Sequence, residues 1–255
     1  MKTYLINLDK DSERLAFFTS TFQRLGMAFE RVPAIDGRLF SEADYQAFMQ
    51  TRPRHGKTWL RGQMGCFLSH QAVWEKIAQG TERFCAVFED DIHASDALKG
   101  ILAEEHWISD DIDIIRLETS TNRLLLASRV VLRHAGREAF EVCSTSWCAG
   151  AYIIHRRTAR QLLSLPTKDH EPADVLLYNF EDSAIAGKLK ILQFDPAPCT
   201  QDKHLASGSI QFASNIESPS HPSGAIKRLF RLFSPKVVGQ AIYRSCRGYR
   251  RIGFS

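Results

Sequence analysis

The segment Phe84-Cys85-Ala86-Val87-Phe88-Glu89-Asp90-Asp91 decides how this chain is read. Five consecutive apolar residues, bounded by polar ones, predict a short strand buried on both faces. That strand stops abruptly on three carboxylates. In open α/β sheets, ligands bind outside the carboxyl ends of the strands, so the triplet is expected to face the sheet's crevice. Adjacent carboxylates repel one another unless water or a cation offsets their charge. Mn²⁺ or Mg²⁺ bridging to a phosphate would suit them, because such ions take one or two carboxylates together with substrate oxygens. A solvated acidic turn is the ordinary meaning of an arbitrary Glu-Asp-Asp. The apolar character of the strand, which marks it as central, favours the site.

Working outward from the triplet, strand and helix patterns alternate. Thr3 to Leu8 is a β-rich run; Leu15, Phe18, Phe22 and Leu25 then recur at helical spacing until Gly26. Phe29 to Val32 predicts a second strand, Ala34 to Gly37 a loop, and Ser41 the start of a helix. Arg52 to Lys57 is a basic loop, and Gly62 to Gln79 a helix ended by Gly80. Beyond the triplet, strands are expected at Ile112 to Leu117, Ala151 to Ile154 and Lys190 to Phe194, with helices at Arg157 to Leu165 and Ala173 to Tyr178. The alternation predicts an α/β sandwich around a mostly parallel sheet.

The chain has 255 residues, 44% of them hydrophobic, enough to bury a sizeable core and to exclude disorder as the main state. Its formal charge of +4 divides unevenly. Residues 226–255 hold eight basic side chains and no acidic one, which leaves −4 on residues 1–225. Six scattered cysteines without a CxxC pair fit a reducing compartment. The apolar run after Met1 is too short for a signal peptide, and no stretch approaches the roughly 18 apolar residues of a membrane span. A cytoplasmic location is expected. A Ser/Pro-rich linker at residues 218–225 divides a globular domain, residues 1–217, from the basic end.

Other residues could carry chemistry. His70 could be a satisfied core histidine or point into the cleft. His204, in a polar loop, is free to ligate a metal, but no zinc-type spacing supports it. Asp174, just after Pro172, would favour a helix dipole by roughly 0.3 to 1 kcal/mol, or it could serve as a general base. Glu118, Glu181 and Asp182 compete for that role. No glycine-rich phosphate loop, GxSxG elbow or HExxH occurs, which removes the common NTPase, hydrolase and metalloprotease readings.

Several blocks together resemble glycosyltransferase family 25, in particular the bacterial lipooligosaccharide β-1,4-galactosyltransferases. They are Ile6-Asn7-Leu8 with Arg14; Ala34-Ile35-Asp36-Gly37; Gly65-Cys66-Phe67-Leu68-Ser69-His70 with Trp74-Glu75; and Ala86 to Asp91. Further blocks are Arg116-Leu117-Glu118, Ala149 to Ile154, Pro172-Ala173-Asp174, and Asp195 to Gln201 with His204. The resemblance implies a GT-A fold, a UDP-sugar donor and inversion at the anomeric carbon. It implies that Glu89, Asp90 and Asp91 form a DxD-type motif, with Asp91 and His204 the ligands of Mn²⁺ or Mg²⁺ on the donor diphosphate. Asn7, Leu8, Arg14, Asp36, His70 and Gln201 are then expected near the donor, and Asp174, followed by Glu118, is the expected base. The acceptor would be a lipid-linked oligosaccharide.

In the basic end, Ile226, Leu229, Phe230 and Phe233 make an apolar stripe beside Lys227, Arg228 and Arg231. Val238, Ile242, Cys246 and Tyr249 continue the pattern after Pro235. An amphipathic helical tail over 226–255 lying on the anionic inner face of the cytoplasmic membrane is expected. The alternative is a terminal helix docked on its own globule. A non-catalytic nucleic-acid binder would also use a basic tail, but the acidic globule argues against it and no nucleic-acid partner is expected. Among enzymes, a nucleotidyltransferase or phosphohydrolase using the same triplet is the runner-up.

Overall fold

A computed structural model describes residues 1–52, 58–120, 122–205, 212 and 248–255. The basic loop at 53–57, the boundary near residue 217, the linker at 218–225 and most of the basic tail fall outside the described residues. In chain order the elements are β1 (Lys2–Asn7), α1 (Ser12–Leu25), β2 (Glu30–Pro33), α2 (Glu42–Thr51), α3 (Arg61–Gln79), β3 (Phe84–Glu89), β4 (Ile92–Ala94) and α4 (Ala97–Leu102). There follow β5 (Ile114–Arg116), β6 (Glu118–Thr119), β7 (Arg123–Leu124), β8 (Leu126–His134), β9 (Arg137–Val142), β10 (Ala151–His155), α5 (Arg156–Leu163), α6 (Ala173–Tyr178), β11 (Ile191–Asp195), β12 (Cys199–Gln201) and β13 (Arg250–Arg251).

Eight strands form one sheet in the order β2-β1-β3-β10-β5-β11-β9-β8. The expected α/β sandwich with a mostly parallel sheet is observed: β10 and β9 pair antiparallel with their neighbours, and the other six strands share one direction. The strand that opened the sequence analysis, β3, lies between β1 and β10. Its side chains alternate between two cores. Phe84, Ala86 and Phe88 join Leu5, Phe18, Phe22 and Leu98 on one face. Cys85 and Val87 join Tyr4, Ile6, Phe67, Trp74 and Leu176 on the other. The helices carrying these residues, α1 and α4 on one side and α3 and α6 on the other, cover both faces. The long apolar run follows from that double burial.

Local chemistry explains several boundaries. Gly26 ends α1 in the left-handed region at φ 66°, where a Cβ would be strained. Ser41 caps α2 by accepting the Asp44 N–H. Between β8 and β9 the chain reverses through Ala135 and Gly136, both at positive φ (48° and 71°), as a two-residue hairpin turn requires. A small sheet, β4-β12-β6, extends the carboxyl side of the main one.

The end of the chain corrects one expectation. Residues 248–255 do not continue an amphipathic helix, because β13 pairs antiparallel with β7 on the globule. Ile252 is buried and its carbonyl accepts the Thr119 hydroxyl at 2.7 Å. Arg250 reaches Asp195 at 3.2 Å and lies over the Phe140 ring. Backbone pairing and an apolar anchor therefore make these last residues part of the globule. Among the described residues, no helix is long and apolar enough to cross a membrane.

Candidate active site

The carboxyl ends of β1 and β3 open onto a cleft whose lining includes Asn7, Leu8, Arg14, Asp36, His70, Glu89, Asp90, Asp91 and Gln201. Every residue expected near the donor is thus brought to one place, together with Asp91. The convergence comes from the fold. Asn7 and Glu89 end adjacent parallel strands. Arg14 sits one turn before Phe18, whose ring packs 5.7 Å from that of Phe88 and fixes the helix against β3. On the far wall, α3 crosses the Ala34 to Gly37 loop backbone against backbone. A Cβ on Gly37 would stand 1.8 Å from the Arg61 carbonyl oxygen, and one on Gly65 only 2.4 Å from that of Ile35. Ser69 accepts the Ile35 N–H at 2.8 Å and secures the crossing.

The three carboxylates are in three different situations. Asp90 is held by Asn7 Nδ2 at 2.8 Å and by Arg14 Nη1 at 2.7 Å. Burial nevertheless raises its pKa, against the pull of those two partners. Glu89 accepts Gln201 Nε2 at 2.8 Å through Oε2, while its Oε1 lies 3.3 Å from His70 Nε2 and 3.6 Å from Cys66 Sγ. For Glu89 burial is the largest single influence and acts upward, but the His70 hydrogen bond and charge, the Lys203 charge and the Cys66 hydrogen bond together lower the pKa. Asp91 Oδ1 is buried and has no hydrogen-bond partner among the described residues. Burial, and then the charge of Glu89, push the Asp91 carboxyl up to about 7. At the rim, Asp36 is paired with Arg38 and Lys10, and the Arg38 hydrogen bond holds it well below the ordinary carboxylate range despite partial burial.

The remaining candidates lie around the loop before β10. Arg116, buried in the sheet, donates to the carbonyls of Trp147 and Cys148 at 2.9 and 3.3 Å. Cys148 takes a positive φ of 73°. Its N–H points to Asp174 Oδ2 at 3.4 Å, and its Sγ lies 3.6 Å from His204 Nε2. His204 therefore borders this loop. Burial lowers its pKa, and the Lys203 charge lowers it further, which leaves a neutral imidazole able to ligate. Asp174 opens α6 half-exposed, accepting the Val175 N–H at 2.9 Å. Glu118 is different: at 1% exposure it accepts the Gly150 and Ala151 N–H groups at 2.6 and 3.3 Å, and burial pushes it up to about 8. It would hold a proton at neutral pH.

Among the described residues, the one grouping of three or more side chains suited to hold a metal is Cys66, His70 and Glu89. It does not include Asp91 or His204. Cys66 was missed as a site residue because the cysteines were judged by CxxC spacing. The usable signal was its i, i+4 relation to His70, which puts both on one face of α3. Lys203 also lines the cleft, and nothing in its local sequence marks it.

The family profile described as glycosyltransferase family 25 (LPS biosynthesis protein) matches residues 1–177. A lacto-N-neotetraose biosynthesis glycosyltransferase of Neisseria meningitidis, LgtB, is 30% identical over 81% of this chain and 77% of its own length. A putative glycosyltransferase of Haemophilus influenzae is 31% identical over 78% and 70%. The lipooligosaccharide biosynthesis protein lic2B of the same species is 24% identical over 94% of both chains. With the profile covering more than half the chain, and the matched blocks lining the cleft, the chain belongs to glycosyltransferase family 25.

Proposed function

We propose that this chain is an inverting, metal-dependent glycosyltransferase that moves a hexose, galactose first among the candidates, from a UDP-sugar to a sugar of a lipooligosaccharide. One observation carries the reading. At the carboxyl end of β3, Glu89 and Asp90 are already engaged, while a buried oxygen of Asp91 is left without a partner among the described residues. A buried polar atom in that state is costly unless something binds it. Asp91 therefore fits a divalent cation, and His204, neutral by burial, is the further ligand proposed. When bound, such a cation supplies Lewis-acid neutralisation of a diphosphate leaving group.

The chain's own residues supply the rest. Asp90, pinned by Asn7 and Arg14, fixes the end of β3 against β1 and so the position of Asp91. Lys203 and Arg38, the latter shared with Asp36, bring positive charge to the lining of a cleft that must accept a diphosphate. Asp174 is the proposed base: half-exposed and held by the backbone N–H groups of Cys148 and Val175, it can take the acceptor hydroxyl's proton. Glu118, buried and protonated, cannot do so at neutral pH without first losing its own. The lacto-N-neotetraose and lipooligosaccharide names of the relatives support galactose and the acceptor class. The basic stripe of residues 226–247 supports contact with an anionic membrane surface on the cytoplasmic side, where a lipid-linked acceptor would sit.

The test is UDP release from a panel of UDP-sugars with and without a lipooligosaccharide acceptor. Acceptor-dependent release, lost in Asp174→Asn and in Asp91→Ala and suppressed by EDTA, is expected. Release without acceptor would favour the phosphohydrolase reading. Full turnover in Asp174→Asn, or in EDTA, would remove the base or the cation from the scheme.

A further inference from the structure

We propose that Cys66, His70 and Glu89 form a zinc site on the wall of the cleft, distinct from Asp91, with three protein ligands and a fourth position open to the cleft. Two of the three edges between the ligating atoms already match such a site, and the third, between Cys66 and His70, is within 4.8 Å. Cys66 and His70 stand four residues apart on one face of α3, and Glu89 meets them from the end of β3. In a tetrahedral zinc site, with sulfur at about 2.3 Å and nitrogen and oxygen at about 2.0 to 2.1 Å, the sulfur–oxygen edge is about 3.5 Å and the nitrogen–oxygen edge about 3.3 Å. The observed edges are 3.6 Å from Cys66 Sγ to Glu89 Oε1 and 3.3 Å from His70 Nε2 to Glu89 Oε1, and all three atoms lie within 4.8 Å of one another.

The atoms that would not ligate are held by other partners. Glu89 Oε2 accepts Gln201 Nε2 at 2.8 Å. His70 Nδ1 lies 2.9 Å from the Tyr152 hydroxyl, which in turn accepts Trp74 Nε1 at 3.0 Å. In the tautomer in which Tyr152 accepts an Nδ1–H, the Nε2 lone pair is left for a metal. Such partners orient metal-binding imidazoles and carboxylates without competing for the metal. The donor set is thiolate, imidazole and carboxylate, which selects zinc over Mg²⁺ or Mn²⁺, since those favour oxygen alone. On binding, the thiol proton leaves to bulk water. Simple wall packing, with two hydrogen bonds to one carboxylate oxygen, is the competing account.

Cobalt and zinc report on the site without any sugar transfer, so the outcome is separate from that of the proposed reaction. Metal-free full-length chain is titrated with Co²⁺ and followed for the thiolate-to-cobalt charge-transfer band in the near ultraviolet. One equivalent should bind with that band, Zn²⁺ should displace it, and Mg²⁺ should not. Cys66→Ser should abolish the band and weaken Zn²⁺ tenfold or more. Cys148→Ser, which alters the thiol beside His204, should retain both. Absence of the band in the wild type, its survival in Cys66→Ser, or its loss in Cys148→Ser would overturn the assignment. Independently of any variant, zinc-edge X-ray absorption of the wild-type chain with one equivalent of Zn²⁺ should show one sulfur at about 2.3 Å among lighter ligands. A shell of nitrogen and oxygen alone would overturn it as well.

Discussion

Glu118→Gln separates a buried acid from a catalytic base in a single variant. Glu118 is 1% exposed, and burial, assisted by the Glu89 charge and opposed by Arg116, raises its pKa from 4.5 to about 8. A carboxyl raised in the folded state binds its proton more tightly there than in the unfolded chain. Between pH 4.5 and 8 the native state therefore holds the extra proton, and stability falls as pH rises. At about 1.4 kcal/mol per pH unit, the loss reaches roughly 3 kcal/mol at pH 7 and about 5 kcal/mol beyond pH 8. Glutamine keeps the shape and the carbonyl that accepts the Gly150 N–H, and it never ionises. Urea denaturation at pH 5, 7 and 8.5 should show the variant's stability, relative to wild type, climbing by about 2 to 3 kcal/mol between pH 5 and 7. A difference that stays flat with pH would refute the reasoning, because it would mean that Glu118 is not protonated in the native state. The same protein should transfer sugar within several-fold of wild type; abolished transfer would move the base from Asp174 to Glu118.

Three further outcomes are expected. Arg14→Met leaves Asp90 buried with Asn7 as its remaining named partner, and should cost about 3 to 5 kcal/mol in urea denaturation; a loss below about 1 kcal/mol would show that the pair does not hold α1 to β3. Gly65→Ala must part α3 from the loop before Gly37, costing about 1 to 3 kcal/mol and raising the donor KM. Unchanged stability and KM would mean that the close crossing is not needed. Deleting residues 226–247 while keeping 248–255 should abolish sedimentation with anionic vesicles at unchanged thermal stability, and continued sedimentation would exclude that segment as the membrane contact.

The parts of the fold that were legible were those with a one-dimensional signature. The double burial of β3 left five apolar residues in a row, and α1 left a 3-4 apolar spacing closed by a glycine. The β8–β9 hairpin left none, because Ala135-Gly136 is not among the strong hairpin dipeptides and the flanking strands carry many polar residues on their exposed side. Its burial alternates too irregularly, through two register shifts, to show a period of two. The terminal strand was hidden for another reason. Arg250 and Arg251 lie in a run whose charge and apolar spacing suit a surface helix, and only the long-range partners Leu124 and Arg123 make them a strand. The donor residues were legible through matched blocks, but their division of labour was not. That Asp90 is occupied, while Asp91 Oδ1 has no hydrogen-bond partner among the described residues, depends on Asn7 and Arg14, some eighty residues upstream, and pairing over that distance leaves no local pattern.

Because Phe212 donates its N–H to Asp202, and β13 and Ile252 are fastened to the globule, described residues on both sides of the basic stretch are tied to the same body. A polymer fixed at one end lets its load tumble freely; one fixed at both ends removes much of that freedom and gives the load a preferred face. If the stretch rests on a charged bilayer, the bilayer would see the same side of the enzyme each time. The height and tilt of the cleft above the lipid headgroups would then be set by two attachment points, and acceptor length would become something the enzyme can measure.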